Sequence, residues 1–271
     1  MRAMRSGGFP IKSLMAGVVL GALAAVLAVL HIMANYEDGL YDQIVASTVQ
    51  PHSSDTQKVV ALTAATHVLL EERLKVFAGK NYVSIRDWWF PSGDVHLIDG
   101  RGACGSHAHV LGRLLDRAGI DFRGVQMYCA DWNTWGCHAT IEAYADGKWI
   151  AVDPSYNVVF PVSASEVGRN WDTYKELTPP DYDMNFNYAG VRYTNWTKIP
   201  VIMPAIKRIL DFAAPKFAST LSVRRYVLNL YRAYEVGLLS LLLVVAIFLL
   251  LRIAIVRRRS AFSLMKPAAS F

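Results

Sequence analysis

Two long apolar runs near the ends of the 271-residue chain restrict its fold more than any other feature. Residues 13–34 contain no Asp, Glu, Lys or Arg, and residues 236–256 contain one charged side chain, Arg252. At about 1.5 Å per residue, a helix of either run can cross a hydrocarbon core of about 30 Å. We therefore predict two transmembrane helices. A cleaved signal peptide is the alternative for the first run, which is longer than a signal sequence requires and lacks a small-x-small cleavage site.

The charges beside the runs predict their orientation. Three cations lie in residues 1–12, and an acidic segment, NYEDGLYD, follows the first run. By the positive-inside rule the N-terminal tail is cytoplasmic, and two spans put the basic tail, residues 257–271, on the same side. Three arginines just before the second run weaken the signal there. We predict an inner (plasma) membrane protein with an extracytoplasmic, periplasmic-type domain over residues 35–200 and an amphipathic juxtamembrane segment over residues 201–235.

The formal charge of +6 does not indicate a nucleic-acid partner. Residues 35–235 carry 20 Lys and Arg against 22 Asp and Glu, a net charge of −2. The other eight cations lie in or beside the membrane runs, so the excess of positive charge follows from the topology. The lipid bilayer is the predicted partner, and nucleic acid is not.

Between the runs the sequence predicts an α+β domain. Residues 53–79 show helical spacing of apolar side chains, and a second helix begins at Cys104 and ends at Gly119. Three strand-like segments follow: FRGVQMYC, CHATIEAYA and KWIAVDPSY. Residues 157–200 show weak periodicity and are predicted to be ordered loops. An interfacial amphipathic helix is predicted from Pro204 onward.

The dipeptide DG at residues 146–147 predicts a tight hairpin between the last two strands. If its loop has two residues, Ala145 faces Lys148. That register puts His138 and Asp153 on one face as diagonal neighbours, where they can hydrogen-bond. The opposite face carries four apolar residues that suit a core, namely Ile141, Ala143, Ile150 and Val152.

Cys104 is then a candidate nucleophile. If its helix lies against the polar face of the hairpin, the thiol sits near His138. The helix dipole and an imidazolium would both lower the pKa of the thiol. Cys104 would attack an acyl carbonyl, His138 would transfer the proton, and Asp153 would fix the imidazole tautomer. The Cys104 backbone N–H is one candidate oxyanion donor, and the indole of Trp88 or Trp89 is the other.

The motifs GACGSHA and HATIEAYADGKWIAVDPSY resemble the transglutaminase-like superfamily, whose fold is papain-like. The resemblance covers roughly residues 80–160. It implies that Cys104, His138 and Asp153 form the catalytic triad, with 34 residues from Cys to His and 15 from His to Asp. Two positions depart from the family pattern: Thr140 stands where the family usually has Trp or another bulky residue, and His107 where an aromatic or acidic residue is common.

The remaining cysteines and histidines bear on two further questions: a disulfide and a metal site. Cys129 and Cys137 bracket a short loop between two strands, so they could form a disulfide or pack as two reduced thiols. His96, His107 and His109 lack the spacing of a metal site. The sequence predicts neither a metal nor another cofactor.

Two function classes follow from these residues. The first is a membrane-anchored thiol hydrolase or acyltransferase that acts on an amide or ester through a Cys104 thioester, with a peptide or cell-envelope acyl substrate. The resemblance covers peptidases, amidases and cross-linking acyltransferases. The alternative is a non-catalytic interaction subunit of a membrane-bound assembly for envelope polymer synthesis or export, which would bind a membrane-protein partner.

Overall fold

The computed structural model describes residues 11–77, 97, 104–129, 136–180, 182, 186–194, 196 and 201–264. Its helices are α1 (Ile11–Thr48), α2 (Asp55–Phe77), α3 (Cys104–Arg117), α4 (Ala164–Arg169), α5 (Trp171–Tyr174), α6 (Ile202–Ala213), α7 (Pro215–Thr220) and α8 (Leu230–Leu264). Its strands are β1 (Phe122–Cys129), β2 (Gly136–Ala145), β3 (Lys148–Asp153), β4 (Val158–Val159) and β5 (Phe186–Arg192). Short 3₁₀ turns lie at Lys175–Leu177 and Val223–Val227.

The chain divides into two compact units: its two ends, residues 1–32 with 231–271, and the intervening residues 33–230. Among the described residues, two helices are long and apolar enough to cross a membrane, over Gly17–Thr48 and Leu230–Arg252. Apolar side chains along both stretches are exposed, as expected for helices that face lipid. Both helices continue beyond the predicted spans, to Thr48 in α1 and to Leu264 in α8.

The acidic segment after the first apolar run continues α1, and its carboxylates pair with arginines of α3. Arg113, which is almost fully buried, lies 3.2 Å from Glu37 and donates to Asp38 at 2.7 Å. Arg117 binds Asp42 with two hydrogen bonds. These ion pairs connect the end of α1 to the helix that begins at Cys104.

The two predicted helices of the domain are confirmed. A capping box begins α2, in which Ser54 N–H donates to Gln57 and the Gln57 N–H donates to the Ser54 hydroxyl. Helix α3 begins at Cys104, and its end is a Schellman motif: Gly119 adopts φ +73°, and Ile120 N–H donates to the Leu115 carbonyl. The predicted end of α2 at Gly79 lies outside the described residues.

The hairpin register is also confirmed. Strands β2 and β3 pair from Ala145–Lys148 to Ile141–Val152, as a two-residue loop requires. Asp146 and Gly147 both have positive φ, at 47° and 84°, which is the conformation of a type I′ turn. The described strands form one antiparallel sheet in the order β4-β3-β2-β1-β5.

The prediction that the Cys104 helix packs on the antiparallel sheet is confirmed, but the helix lies on the other face from the one considered for it. Helix α3 packs on the apolar face of the hairpin, not on the face that carries His138. Gly112 permits the close approach, since a Cβ there would lie 3.0 Å from the Phe122 ring and 3.4 Å from Ile141. The physical reason is the burial of leucines on α3 against apolar strand residues, a cluster that includes Val110, Leu111, Leu114, Leu115, Ile141, Ala143, Ile150 and Val152.

The prediction of loops over residues 157–200 is wrong, because part of this segment covers the other face of the sheet. It contains β4, α4, α5 and the edge strand β5, which pairs with β1. A second apolar cluster lies here, comprising Val125, Met127, Ala151, Val158, Phe160, Ala164, Val167, Tyr182 and Tyr188. Elements this short lack a clear period, and β5 is defined by its pairing with a distant strand.

The predicted amphipathic segment contains α6. Its apolar side chains Ile202, Ile206, Ile209 and Phe212 are exposed, and Phe212 is 94% exposed. Lys207 and Asp211 form an ion pair elsewhere on the same helix. The helix has no buried residue, so its apolar face is available to a lipid surface.

Candidate active site

Cys104 carries a free thiol at the first residue of α3. Helix α3 has 14 residues, so the sulfur lies at the positive end of its dipole. The thiol is half-buried and hydrogen-bonds to the side chain of His138 and to the backbone N–H of Ala139. Although α3 packs on the opposite face of the sheet, its first residue therefore contacts the start of β2, where His138 lies.

His138 connects the thiol to Asp153. The His138 Nε2 atom lies 2.6 Å from Asp153 Oδ2, and both side chains are buried. A carboxylate accepts hydrogen bonds, so Nε2 carries the hydrogen, and Nδ1 is the ring nitrogen left for the thiol. The structure thus brings together the three residues that the sequence predicted as a triad.

Two tyrosines that the sequence did not indicate complete this arrangement. Tyr182 donates its hydroxyl hydrogen to Asp153 Oδ2 at 2.9 Å, and its oxygen lies 2.6 Å from the Tyr188 hydroxyl. The Ser155 backbone N–H donates to Asp153 Oδ1 at 3.0 Å. Because the carboxylate is held by several donors, it has one orientation in which to hold the imidazole. No local motif marks Tyr182 or Tyr188.

The surroundings shift the pKa values of the thiol and the imidazole in opposite directions. Burial raises the pKa of the Cys104 thiol. The hydrogen bond with His138, the positive charge of the His138 ring and the backbone N–H of Ala139 lower it by more, so the pKa falls below its ordinary value. Burial lowers the pKa of His138, but hydrogen bonds to Asp153 and Cys104 outweigh it and raise the pKa from 6.5 to about 9. A thiolate–imidazolium pair is therefore favoured near neutral pH.

A pocket of about 600 Å³ opens onto the thiol and the imidazole. Besides Cys104 and His138, its described lining consists of His67, Glu71, His107, Ser155, Tyr156 and Pro179. The Tyr156 ring lies edge-on to His138, with ring centroids 6.1 Å apart. The lining is rich in polar side chains, so polar groups can be bound there.

The two departures from the family pattern have different consequences. Thr140 is buried and donates its hydroxyl hydrogen to the Val152 carbonyl, so it acts inside the sheet. His107 is also buried from bulk solvent but lines the pocket. Of these two positions, His107 is therefore the one that lines the pocket beside Cys104.

Other predicted site residues lie outside the described part of the structure. Trp88 and Trp89, the candidate oxyanion donors, lie outside the described residues. The side chains of Cys129 and Cys137 do too, so their pairing stays a prediction. Of the predicted oxyanion donors, the described residues retain the Cys104 backbone N–H, which lies at the start of α3 where helical N–H groups have no intrahelical acceptor.

Comparison with known proteins finds a family match for part of this domain. The family model of the transglutaminase-like superfamily matches residues 42–154. The chain contains a transglutaminase-like domain. The match runs from the end of α1 through the residue after Asp153 and includes Cys104 and His138. No curated protein and no solved structure matches the chain.

The transglutaminase-like match stops before several residues of the site. Tyr182 and Tyr188, which hold Asp153, lie 28 and 34 residues beyond its end at residue 154. The superfamily includes cysteine hydrolases and acyltransferases. A choice between these two activities therefore depends on the geometry of the site.

Proposed function

We propose that the protein is a membrane-anchored thiol hydrolase that cleaves an amide or ester bond through a Cys104 thioester. One observation carries this proposal: the Cys104 thiol, the His138 ring and the Asp153 carboxylate form a continuous hydrogen-bonded chain at a pocket. A nucleophile bonded to a base, which is itself oriented by a third group, is the arrangement that covalent acyl transfer needs.

The first half-reaction forms the thioester. The Cys104 thiolate attacks the acyl carbonyl, and the new S–C bond forms as negative charge develops on the carbonyl oxygen. The Cys104 backbone N–H at the start of α3 supports that oxygen. When the bond from carbon to the leaving group breaks, the His138 imidazolium gives its proton to the departing amine or alcohol.

The second half-reaction releases the acyl group. Water attacks the thioester carbon and passes a proton to the now neutral His138, the C–S bond breaks, and the thiolate is restored. Hydrolysis is favoured over transfer because Cys104 is half-exposed in a polar pocket, where water reaches the thioester. An acyl acceptor other than water is the second outcome of the same chemistry, and a peptide or cell-envelope amide is the proposed substrate.

The proposed location follows from the two apolar helices and the flanking charges. The domain lies outside the cytoplasm of a plasma-type membrane, with both basic tails inside. Helix α6, with its exposed Ile202, Ile206, Ile209 and Phe212, lies on the membrane surface next to the domain. An impermeant maleimide that reacts with Cys104 only after the membrane is opened would contradict this topology.

A thiol-directed acyl probe tests the proposed activity. The full chain in detergent is incubated with the probe at neutral pH, and acylation of Cys104 is followed by mass spectrometry. We expect acylation to disappear in Cys104→Ala and to fall on the order of 10³-fold in His138→Ala. Turnover of an amide or ester substrate is expected to decline above about pH 9, where His138 loses the proton that the leaving group requires.

Two results would overturn the proposal. Acylation that survives Cys104→Ala would place the nucleophile elsewhere, and a folded wild-type chain whose Cys104 ignores the probe would remove the catalytic role. A stoichiometric membrane-protein partner that binds the wild type and Cys104→Ser equally would then favour the interaction subunit.

A further inference from the structure

The segment that joins the domain to α8 is fixed on the domain by hydrogen bonds. Thr194 donates to the Leu221 carbonyl and accepts from the Val223 N–H at 3.1 Å. Gly124 N–H donates to the Ser222 hydroxyl at 3.0 Å. These bonds hold residues 221–223 against β1 and the end of β5, immediately before Arg224.

Arg224 extends from this segment to the first turn of the Cys104 helix. Its Nη2 donates to the Gly105 carbonyl, which belongs to the residue that follows the nucleophile. Its aliphatic stem passes over Gly124, where a Cβ would lie 3.5 Å from Arg224 Cδ. The stem therefore lies within van der Waals reach of position 124, and the guanidinium reaches the first turn of α3.

We propose that Arg224 is a positioning residue of the thiol site, which holds the first turn of α3 and places a fixed positive charge beside the Cys104 sulfur. This inference rests on the proposed function, since it assigns the charge a purpose in activating the nucleophile. It also makes the segment before α8 part of the site, although that segment lies far beyond the family match.

Cys104 affects the pKa of Arg224, whereas the main causes that lower the pKa of Cys104 are His138 and the backbone N–H groups of Ala139 and Gly105. Burial lowers the pKa of Arg224, and the negative charge that Cys104 acquires as a thiolate opposes that effect. A guanidinium stays protonated at every pH at which a thiol titrates, so its charge is constant while the charges of Cys104 and His138 change. Other titratable groups face the thiol from the pocket and stay unchanged in the variants below: His67, Glu71, His107 and His138.

The experiment measures the pH dependence of Cys104 alkylation in the full chain. Iodoacetamide is the reagent, because it is neutral and is not attracted by an arginine. The Cys104 peptide is quantified by mass spectrometry, which separates it from Cys129 and Cys137. Arg224→Gln removes the charge but keeps a polar N–H donor on a shorter side chain, and Arg224→Lys keeps the charge.

We expect Arg224→Gln to slow alkylation about fivefold or more at pH 6, where the thiolate fraction limits the rate, and to leave the rate at pH 10 within about twofold. Arg224→Lys should stay within about twofold of the wild type at both pH values. The matched control is Arg225→Gln, which removes the same charge one residue later, from an exposed pair with Asp121, and should change neither rate.

The two proposals fail in different ways in this experiment. An equal loss at pH 6 and pH 10 in Arg224→Gln, or a loss in Arg224→Lys as large as in Arg224→Gln, would overturn the electrostatic role. If Arg224→Gln does not fold, the lysine variant decides the question alone through its rates at the two pH values. Alkylation requires no substrate, so a failure of the hydrolase proposal leaves these rates unaffected.

Discussion

On one face of the sheet α3 packs its leucines onto Ile141 and Val152, whereas on the other face Glu142 and Asp153 are fully buried among hydrogen-bond donors. Glu142 accepts from Arg123 and from the Ala164 N–H at 2.6 Å, as Asp153 accepts from His138 and Tyr182. Burial of apolar area stabilises both faces, and the second face also holds buried carboxylates among donors at fixed positions. Substitutions of these carboxylates and of the leucines under α3 should therefore affect different properties.

The largest expected effect is on the polar face. Asp153→Asn keeps the size of the side chain but lets the amide donate to His138, which favours the wrong tautomer of the imidazole. We expect acylation of Cys104 by the probe to slow on the order of 10³-fold, measured as single-turnover rates. Asp121→Asn, an exposed carboxylate on the same domain, is the control. A slowing below tenfold would mean that Asp153 does not orient the base.

Substitutions on the apolar face should change the stability of the domain. Leu111 is fully buried in the cluster beneath α3, so Leu111→Ala should lower the free energy of unfolding of the domain by about 2–5 kcal/mol, measured with denaturant. Leu177→Ala, at a half-exposed site, should change it by about 0.5 kcal/mol or less. The pH profile of Cys104 alkylation in the folded fraction should not change. A shifted profile would show that the two faces are not separable.

The smallest effect is expected at Tyr182. Tyr182→Phe removes one donor to Asp153 and keeps the ring that packs on Tyr156 and Trp171. The loss of one hydrogen bond, about 1 kcal/mol, corresponds to roughly fivefold slower acylation of Cys104. Tyr144→Phe removes a hydroxyl from an exposed ring on the same face and should leave the rate unchanged. Equal rates in Tyr182→Phe and wild type would assign Tyr182 to packing alone.

The parts of the site that could be predicted are those with local signals. The turn at Asp146 and Gly147 determines the hairpin register, and the register places His138 near Asp153. The small residues around Cys104 and the left-handed Gly119 mark the ends of α3. These features depend on residues close in sequence, whose conformations the side chains themselves restrict.

The parts that could not be predicted depend on distant contacts. Which face α3 covers is decided by the burial of its leucines, and the sequence pattern of the hairpin alone left the polar face open to it. Tyr182, Tyr188 and Arg224 lie in segments without a motif. Tyr182 contacts Asp153, which is 29 residues away, and Tyr188 contacts Tyr182. Arg224 contacts the carbonyl of Gly105, which is 119 residues away. No local pattern marks such contacts, because they form only when distant segments pack together.

The chain order of these contacts has a consequence for how the protein is made. Cys104 emerges first during synthesis, whereas Tyr182 and Arg224 follow 78 and 120 residues later. A chain that ends before residue 224 would hold Cys104, His138 and Asp153 without Arg224. If Arg224 positions the thiol site as proposed, such a chain should carry a less reactive Cys104 than the full protein does.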